Sequence, residues 1–489
     1  MPNSLPRRLT ASDASFLYME RPKAPLHIGS LGIYEGEISF EGFVEHLQSR
    51  LPNIPRYRQR IAPVPLSIAH PTWEDDPDFD IRNHMHYVTL PAPGDQRQLA
   101  DLAADISAQP LDRSKPLWEM HIVHGLEGGG SALVAKVHHS MVDGVSGIEL
   151  LMQTVDISPE PAPPPDPGTW EPPPLPDIGR RLSEAFWENL DQQRQQWQDL
   201  QQTISDPQAA IRDAQAMFRG FGSASWLGRP APLTPFSVQL SGRRRVALSS
   251  MSFSEIRDIR TSLGGTVNDV VLAVLAGALR RYLELRGRKT AGLELRVAIP
   301  VNVRMEGEQG AMGNRVSAMV VELPLGEADP ARRLEEVRTR MDRLKSENQA
   351  GAVEMLSRAA SQTPVPLQAL AGATQINTAI NLICTNVPGP MIPLYCIGHL
   401  LLDHYPLVPL SLTMGLAAGI TSYNQRLFFG MMVDPKAVPD VERVGECVDE
   451  SFLELRDAAG VAVSDLPPLS GRTNGMPAER SAKVEERAD

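Results

Sequence analysis

Ten prolines fall between Pro159 and Pro176, in a stretch that reads SPEPAPPPDPGTWEPPPLP from Ser158. No helix can run through such a segment and no interior strand can use it, because proline lacks the N–H that either ladder needs. Its favoured geometry is extended polyproline II, which spans distance across a surface. The run therefore divides the chain before any other feature is read. At 489 residues the chain is also too long for one ordinary core. The expectation is a two-lobed α/β protein. Residues 1–157 form a first lobe, 158–245 the proline-rich linker and a connecting helix, and 246–466 a second lobe. Residues 467–489 hold few large apolar groups and read as a disordered tail.

Composition narrows the function classes. The 47 basic and 59 acidic residues leave a net charge of −12, which argues against a nucleic-acid binder resting on a basic face. Cys384, Cys396 and Cys447 form no Cys-x-x-Cys pair and are too few for a disulfide framework, so a reduced, cytoplasmic setting is expected. Arg7 and Arg8 have no apolar run behind them, so no secretory signal is read. No stretch of about 18 uncharged apolar residues exists. The longest, Val270 to Leu279, stops at Arg280-Arg281. Contact with a membrane would then be peripheral.

Two hairpins are legible. Trp118 to Leu126 and Ser131 to His139 flank Glu127-Gly-Gly-Gly130, and Ser411 to Ser422 and Arg426 to Asp434 flank Tyr423-Asn424-Gln425. Thr266 to Arg281 reads as helix, and Leu295 to Val303 and Ala379 to Asn386 as strands. After the linker, Phe186, Leu190, Trp197, Leu200 and Ile204 recur at helical spacing. The polar face of that helix carries Glu184, Glu188, Asp191 and Asp199, not the lysines of a membrane-surface helix, so packing against the protein's own lobes is expected.

The sharpest local feature is His138-His139-Ser140-Met141-Val142-Asp143-Gly144. Along a strand over 131–139, Leu133, Ala135, Val137 and His139 share one face while Val134, Lys136 and His138 share the other. An imidazole ending the apolar face sits at the edge of a core, where a cleft would be. A histidine of ordinary pKa, about 6.5, can accept a proton near neutrality, and a hydrogen bond to one ring nitrogen fixes the other as the base. A helix over 145–155 follows, with Asp143 or Ser146 available to cap it; the two histidines read equally as satisfied edge-of-core residues. A metal site is disfavoured, because adjacent strand residues point opposite ways and no further ligand spacing is present. A serine-hydrolase elbow is absent, since Gly144-Val-Ser146-Gly147 lacks the second spacer. A base with no protein nucleophile beside it implies that two substrates react directly with each other.

At this point the residues carry a likeness. His-His-x-x-x-Asp-Gly resembles the signature of the CoA-dependent acyltransferase superfamily, shared with condensation domains and chloramphenicol acetyltransferase. The wider chain resembles the bacterial wax ester synthase/diacylglycerol acyltransferase family over about residues 8–465. The supporting pieces are Ser12-Asp-Ala-Ser-Phe-Leu17, Pro25-Leu-His-Ile-Gly-Ser-Leu31, Lys115-Pro-Leu-Trp118, Val267-Asn-Asp-Val-Val-Leu-Ala273, Val301-Asn-Val-Arg304, Gly313-Asn314 and Thr385-Asn-Val-Pro-Gly-Pro390.

That resemblance implies a chloramphenicol acetyltransferase-like fold with mixed sheets and the site between lobes. It makes His139 the general base for attack of an alcohol on an acyl-CoA thioester, with His138 supporting. Asp143 would orient the motif loop, and Gly144 would allow the exit from strand to helix. Asn268 would reach the pocket from the second lobe as a donor to substrate or oxyanion, or else cap helix 269–281. Trp118 reads as a packing or pocket-wall residue, Asn386 as a strand exit that shapes the substrate tunnel, and Arg243-Arg244-Arg245 as a candidate contact for the CoA phosphates. The expected substrates are acyl-CoA with diacylglycerol or a fatty alcohol, with no other cofactor and no metal. Peripheral contact with a membrane or lipid droplet would supply the acceptor. A condensation-type enzyme using carrier-protein thioesters and a non-catalytic lipid-droplet-binding protein are the alternatives.

Overall fold

The structure of the protein, a computed structural model, describes residues 7–141, 152, 154–160, 170–205, 230–302, 316–347, 349, 351, 353, 363, 365–368, 379–411 and 413–464, with the side chains of 192, 193, 195–197, 199–205, 302, 316 and 317 excepted. Two six-stranded mixed sheets organise it. The first runs β11 (Tyr395–Cys396), β12 (His399–Leu407), β1 (His27–Tyr34), β6 (Ser131–His138), β5 (Trp118–His124) and β4 (Met85–Thr89). The second runs β7 (Arg245–Ser252), β14 (Arg426–Val433), β13 (Leu416–Tyr423), β10 (Leu382–Val387), β8 (Glu294–Asn302) and β9 (Val316–Pro324). A small pair, β2 (Gln59–Ala62) and β3 (Thr72–Asp75), sits beside the first sheet's core.

Both predicted hairpins form. Gly125, Gly128, Gly129 and Gly130 all take positive φ, the backbone that returns β5 into β6, and Trp118 comes to lie opposite Val137. Asn424 and Gln425 take φ of 42° and 66°, the left-handed pair that a two-residue hairpin requires between β13 and β14.

The helices lie outside the sheets. In the first lobe they are α1 (Ala11–Met19), α2 (Phe40–Arg50) and α3 (Gln96–Ala108); the connecting helix is α4 (Ile178–Ser205). The second lobe carries α5 (Phe253–Leu263), α6 (Val267–Leu285), α7 (Pro330–Ser346) and α8 (Val441–Ala458). Val270 to Leu279, the longest apolar run in the sequence, is the buried centre of α6. No single described helix is long and apolar enough to cross a membrane.

The single boundary expected at 245/246 divides the sequence but not the sheets. β11 and β12 leave the second half of the chain and complete the first sheet beside β1, antiparallel to it. Tyr423, Phe428 and Met432 likewise join the first lobe's core. The seam is tight at Pro406 of β12: a Cβ on Gly430 would collide with the Pro406 carbonyl oxygen, and one on Gly419 would lie 2.6 Å from Val408 Cγ2. Glycine on β13 and β14 is what lets the sheets close.

α4 docks on the first lobe, though not by the expected stripe. Ala185 is buried against Val64 and Ala69, Arg181 pairs with Glu74 at 2.6 Å, Arg8 pairs with Glu188, and Asn189 donates to the Ile68 carbonyl. Phe186 is instead 57% exposed, beside Trp187 at 59%. Glu184 and Glu188 face Arg7 and Arg8 of the lobe, whereas Asp191 pairs with Arg194 of the same helix, and ion pairing decides which side docks. The side chains of Trp197, Leu200 and Ile204 lie outside the described residues.

Candidate active site

Strand β6 separates two environments. Leu133, Ala135 and Val137 point into a cleft of about 180 Å³ between the sheets. Ile28, Ser30, Tyr57, Met120 and His404 line it from the first sheet's side, and Thr385, Val387, Ile420 and Thr421 from the second. The lining is mostly apolar with a few polar groups, the usual character of a ligand site. On the other face of β6, Lys136 and His138 turn toward the C-terminal end of α3, where Lys136 Nζ donates to the carbonyls of Ile106 and Gln109.

His138 closes the strand, 1% exposed and directly opposite His27 of β1. Its Nδ1 accepts the Ser140 backbone N–H at 3.1 Å and lies 2.7 Å from Ser140 Oγ. An accepting Nδ1 leaves the ring proton on Nε2, which lies 3.4 Å from Glu20 Oε1. Glu20 also accepts the Leu26 N–H at 3.0 Å and an Arg113 N–H at 2.6 Å. Burial pushes the Glu20 carboxyl up, but His138, the Leu26 N–H and Arg113 outweigh it and hold the group down at about 2.

His139 opens a 3₁₀ turn, His139–Met141, and its N–H donates to the Leu26 carbonyl at 2.9 Å. Its ring lies flat on Phe16 of α1, with centroids 3.8 Å apart and planes 9° apart. Nδ1 is buried and no other described residue bonds to it. Burial pushes the imidazole down to about 4, so at neutral pH it is uncharged and able to accept a proton. One segment thus holds both histidines: Leu26 gives its N–H to Glu20 and its carbonyl to His139. Asp143, Gly144 and most of the predicted helix over 145–155 lie outside the described residues.

The family model described as the wax ester synthase/diacylglycerol acyltransferase catalytic domain matches residues 9–271, and that described as the WS/DGAT C-terminal domain matches residues 312–456. The chain belongs to this family. A probable diacylglycerol O-acyltransferase of Mycobacterium tuberculosis is 31% identical over 468 residues, covering 92% of this chain and 99% of its own. A putative diacylglycerol O-acyltransferase of Mycobacterium bovis is 29% identical, covering 96% and 98%. Among solved structures, the wax ester synthase/diacylglycerol acyltransferase from Marinobacter aquaeolei VT8 superposes with a TM-score of 0.65 at 24% identity, covering 93% of this chain and 100% of that one. The first condensation domain of the calcium-dependent antibiotic synthetase does so at 0.57 and 16%, covering 96% and 100%. The fold is therefore the two-lobed acyltransferase arrangement expected from the sequence.

Within this WS/DGAT chain the other predicted site residues fall as follows. Asn268 sits on the first turn of α6, but Thr266 is the N-cap, closing a capping box with Asp269, so the capping alternative for Asn268 does not hold. Thr385 and Val387 face the cleft, so Asn386 between them turns to the α6 side and donates to Asn268 Oδ1 at 3.4 Å. The two asparagines are brought together; among the described residues no hydrogen bond or ring contact joins either to His139. Trp118 is 1% exposed, stacked between Tyr57 and His84 at 4.7 and 4.6 Å, with Nε1 donating to the Tyr57 carbonyl. It backs the cleft wall through Tyr57, which does line the cleft. Of the arginine run, Arg244 is buried 3.5 Å from Asp434 and Arg245 pairs with Asp101 and Glu442, leaving only Arg243 exposed.

Sequence reasoning missed Glu20 and the His27–His138 pairing. His27 stands inside a recognised motif, but Glu20 follows α1 with no spacing signal, and only the fold brings it to His138. One cluster among the described residues has metal-ligand convergence, His86, Glu119 and His121, with donor atoms within 4.8 Å. Lys136 Nζ already holds Glu119 at 3.0 Å, so that carboxylate's charge is matched by protein.

Proposed function

We propose that this protein transfers a long acyl chain from acyl-CoA to the hydroxyl of a diacylglycerol or a long-chain alcohol, giving an ester and free CoA. The observation that carries the reading is His139. It is an uncharged imidazole stacked on Phe16, in the turn that directly follows the strand face lining an apolar cleft. The names of the Mycobacterium and Marinobacter relatives support the acceptor classes.

In this reading His139 Nε2 takes the proton of the acceptor hydroxyl as its oxygen attacks the thioester carbonyl. The tetrahedral oxyanion collapses and expels the CoA thiolate, which takes the proton back from the imidazolium. No bond forms between protein and acyl group. Asn268 Nδ2 would donate to the oxyanion: its Oδ1 is engaged by Asn386, which leaves the amide N–H₂ as the free end. His138, bound by Ser140 and Glu20, holds the turn. The acceptor would enter from a membrane or lipid-droplet surface touched by the protein from outside, and the exposed Phe186 and Trp187 on α4 support a contact there.

The test is CoA release from palmitoyl-CoA with dioleoylglycerol or hexadecanol, comparing wild type with His139→Ala. Loss of the base should cost about 10²- to 10⁴-fold in kcat. Equal rates would remove His139 from the mechanism. Activity confined to acyl-carrier-protein thioesters would move the protein to the condensation branch.

A further inference from the structure

A WS/DGAT cleft for unfunctionalised chains needs only apolar walls, and one wall here departs from that. His404 of β12 lines the cleft, pairs in register with Gly32 of β1, and is 5% exposed. Its Nε2 is buried with no hydrogen-bond partner. A buried polar atom left unpaired is a cost that native structures seldom carry without a reason. The imidazole is not a spare charge either, because burial pushes its pKa down to about 4 and keeps it neutral, with one donor and one acceptor nitrogen.

Its place along the cleft says what it can meet. His139 meets the Leu26 carbonyl, and His404 lies opposite Gly32, six residues further along β1. At about 3.3 Å per strand residue the two positions are roughly 20 Å apart. With about 3 Å of hydrogen-bond contact at each end, the chain between them spans about 14 Å, the length of about a dozen methylene groups. That is too far for a group attached next to the reacting carbon. Trapped water would need two to four polar partners. The cleft supplies few there, since Gly32 offers no side chain and Thr421 Oγ1 already donates to the Val387 carbonyl at 2.9 Å.

We propose that His404 is a specificity residue for a long chain bearing a hydroxyl or keto oxygen roughly a dozen carbons from its reacting end. This rests on the transferase reading above. The oxygenated chain could be the acyl group or the alcohol, and both offer His404 the same partner.

Two arms separate the sources in the full-length protein. The first compares 12-hydroxystearoyl-CoA with stearoyl-CoA, using hexadecanol as acceptor. The second compares octadecane-1,12-diol with octadecan-1-ol, using stearoyl-CoA and scoring ester at the primary hydroxyl. Wild type should favour the oxygenated substrate by roughly fivefold in kcat/KM in one arm, the size of one neutral hydrogen bond. His404→Leu should bring that ratio to one, and His404→Gln, which keeps a donor, should retain part of it. A wild-type ratio of one in both arms overturns the proposal, and the comparison needs no variant. A preference that survives His404→Leu also overturns it. Absence of CoA release with every pair, plain chains included, overturns the transferase reading and this one with it.

Discussion

Glu20→Gln replaces a buried carboxylate by a neutral amide of the same shape at the point where three groups converge on the site. The folded carboxyl is held at about 2 against an ordinary 4.5. A difference of that size corresponds to about 3 kcal/mol of stability at neutral pH. Only 11% of the Glu20 side chain is exposed, but Arg113 is 48% exposed and its share is screened, so about 2–3 kcal/mol is the expected loss. Because the folded carboxyl lies below its unfolded value, the stabilisation is complete above pH 4.5 and vanishes as pH falls through about 2. The deficit of Glu20→Gln should therefore be nearly constant from pH 7 to 5 and fall to less than half by about pH 3. Urea denaturation followed by tryptophan fluorescence at pH 7, 5 and about 3 measures it. Activity separates charge from positioning. Gln can still accept the Leu26 N–H that sets the carbonyl holding His139, so it should retain most of kcat, whereas Glu20→Ala removes both holds and should lose more. A Glu20→Gln variant as stable as wild type at pH 7, or a deficit that does not shrink in acid, would refute the role given to this carboxylate.

Three further outcomes follow from other parts of the molecule. Gly430→Ala drives a methyl into the Pro406 carbonyl at the lobe seam and should cost on the order of 2 kcal/mol or more in thermal or urea unfolding, while an unchanged midpoint would mean the seam is looser than drawn. Burial pushes His27 down to about 3 and His70, His139 and His404 down to about 4, below the unfolded 6.5. The unfolded chain then takes up protons first, and stability should fall between pH 6.5 and 4, each of these histidines adding up to about 1.36 kcal/mol per pH unit to the slope. Replacing His404 by Leu should lower that slope by about 1.4 kcal/mol per pH unit. Phe186→Ser with Trp187→Ser should weaken co-sedimentation with diacylglycerol-containing vesicles while leaving the unfolding midpoint within about 0.5 kcal/mol, since both rings are already exposed; unchanged sedimentation would take lipid contact away from α4.

What could be read in the sequence was whatever is local. The Gly-Gly-Gly turn, the Asn424-Gln425 turn and the apolar run of α6 each carry their cause within a few residues, and each formed as expected. The alternation of β6 was equally local, so the separation of His138 from His139 could be read without a fold. What failed was nonlocal. Nothing in Tyr395–Leu407 says that it will leave its own half of the chain and pair with β1, because an edge is chosen by which strand is free to accept it. Glu20 is one acidic residue among 59 Asp and Glu until the sheet closes on it. Asn268 was read as a possible cap because asparagine favours that position, yet Thr266 with Asp269 three residues on makes the stronger reciprocal cap. For α4 the apolar spacing was real, but arginines at 7, 8 and 181 against carboxylates at 74 and 188 decided which side docks.

The same alternation explains why an imidazole with so low a pKa can sit here. A strand presents its two faces to different media at a spacing of one residue. Lys136 and His138 spend their polar groups on α3 carbonyls, Ser140 and Glu20, so neither competes for the front face. Burial on the front side is what depresses His139. A drier cleft makes a weaker base but a stronger field for any charge that forms in it. In the proposed transfer an imidazolium beside a departing thiolate would be a short-lived pair that returns its proton at once. The arrangement suits a reaction in which the proton is borrowed within a single transfer, and it would serve poorly for one in which His139 had to stay charged between two half-reactions.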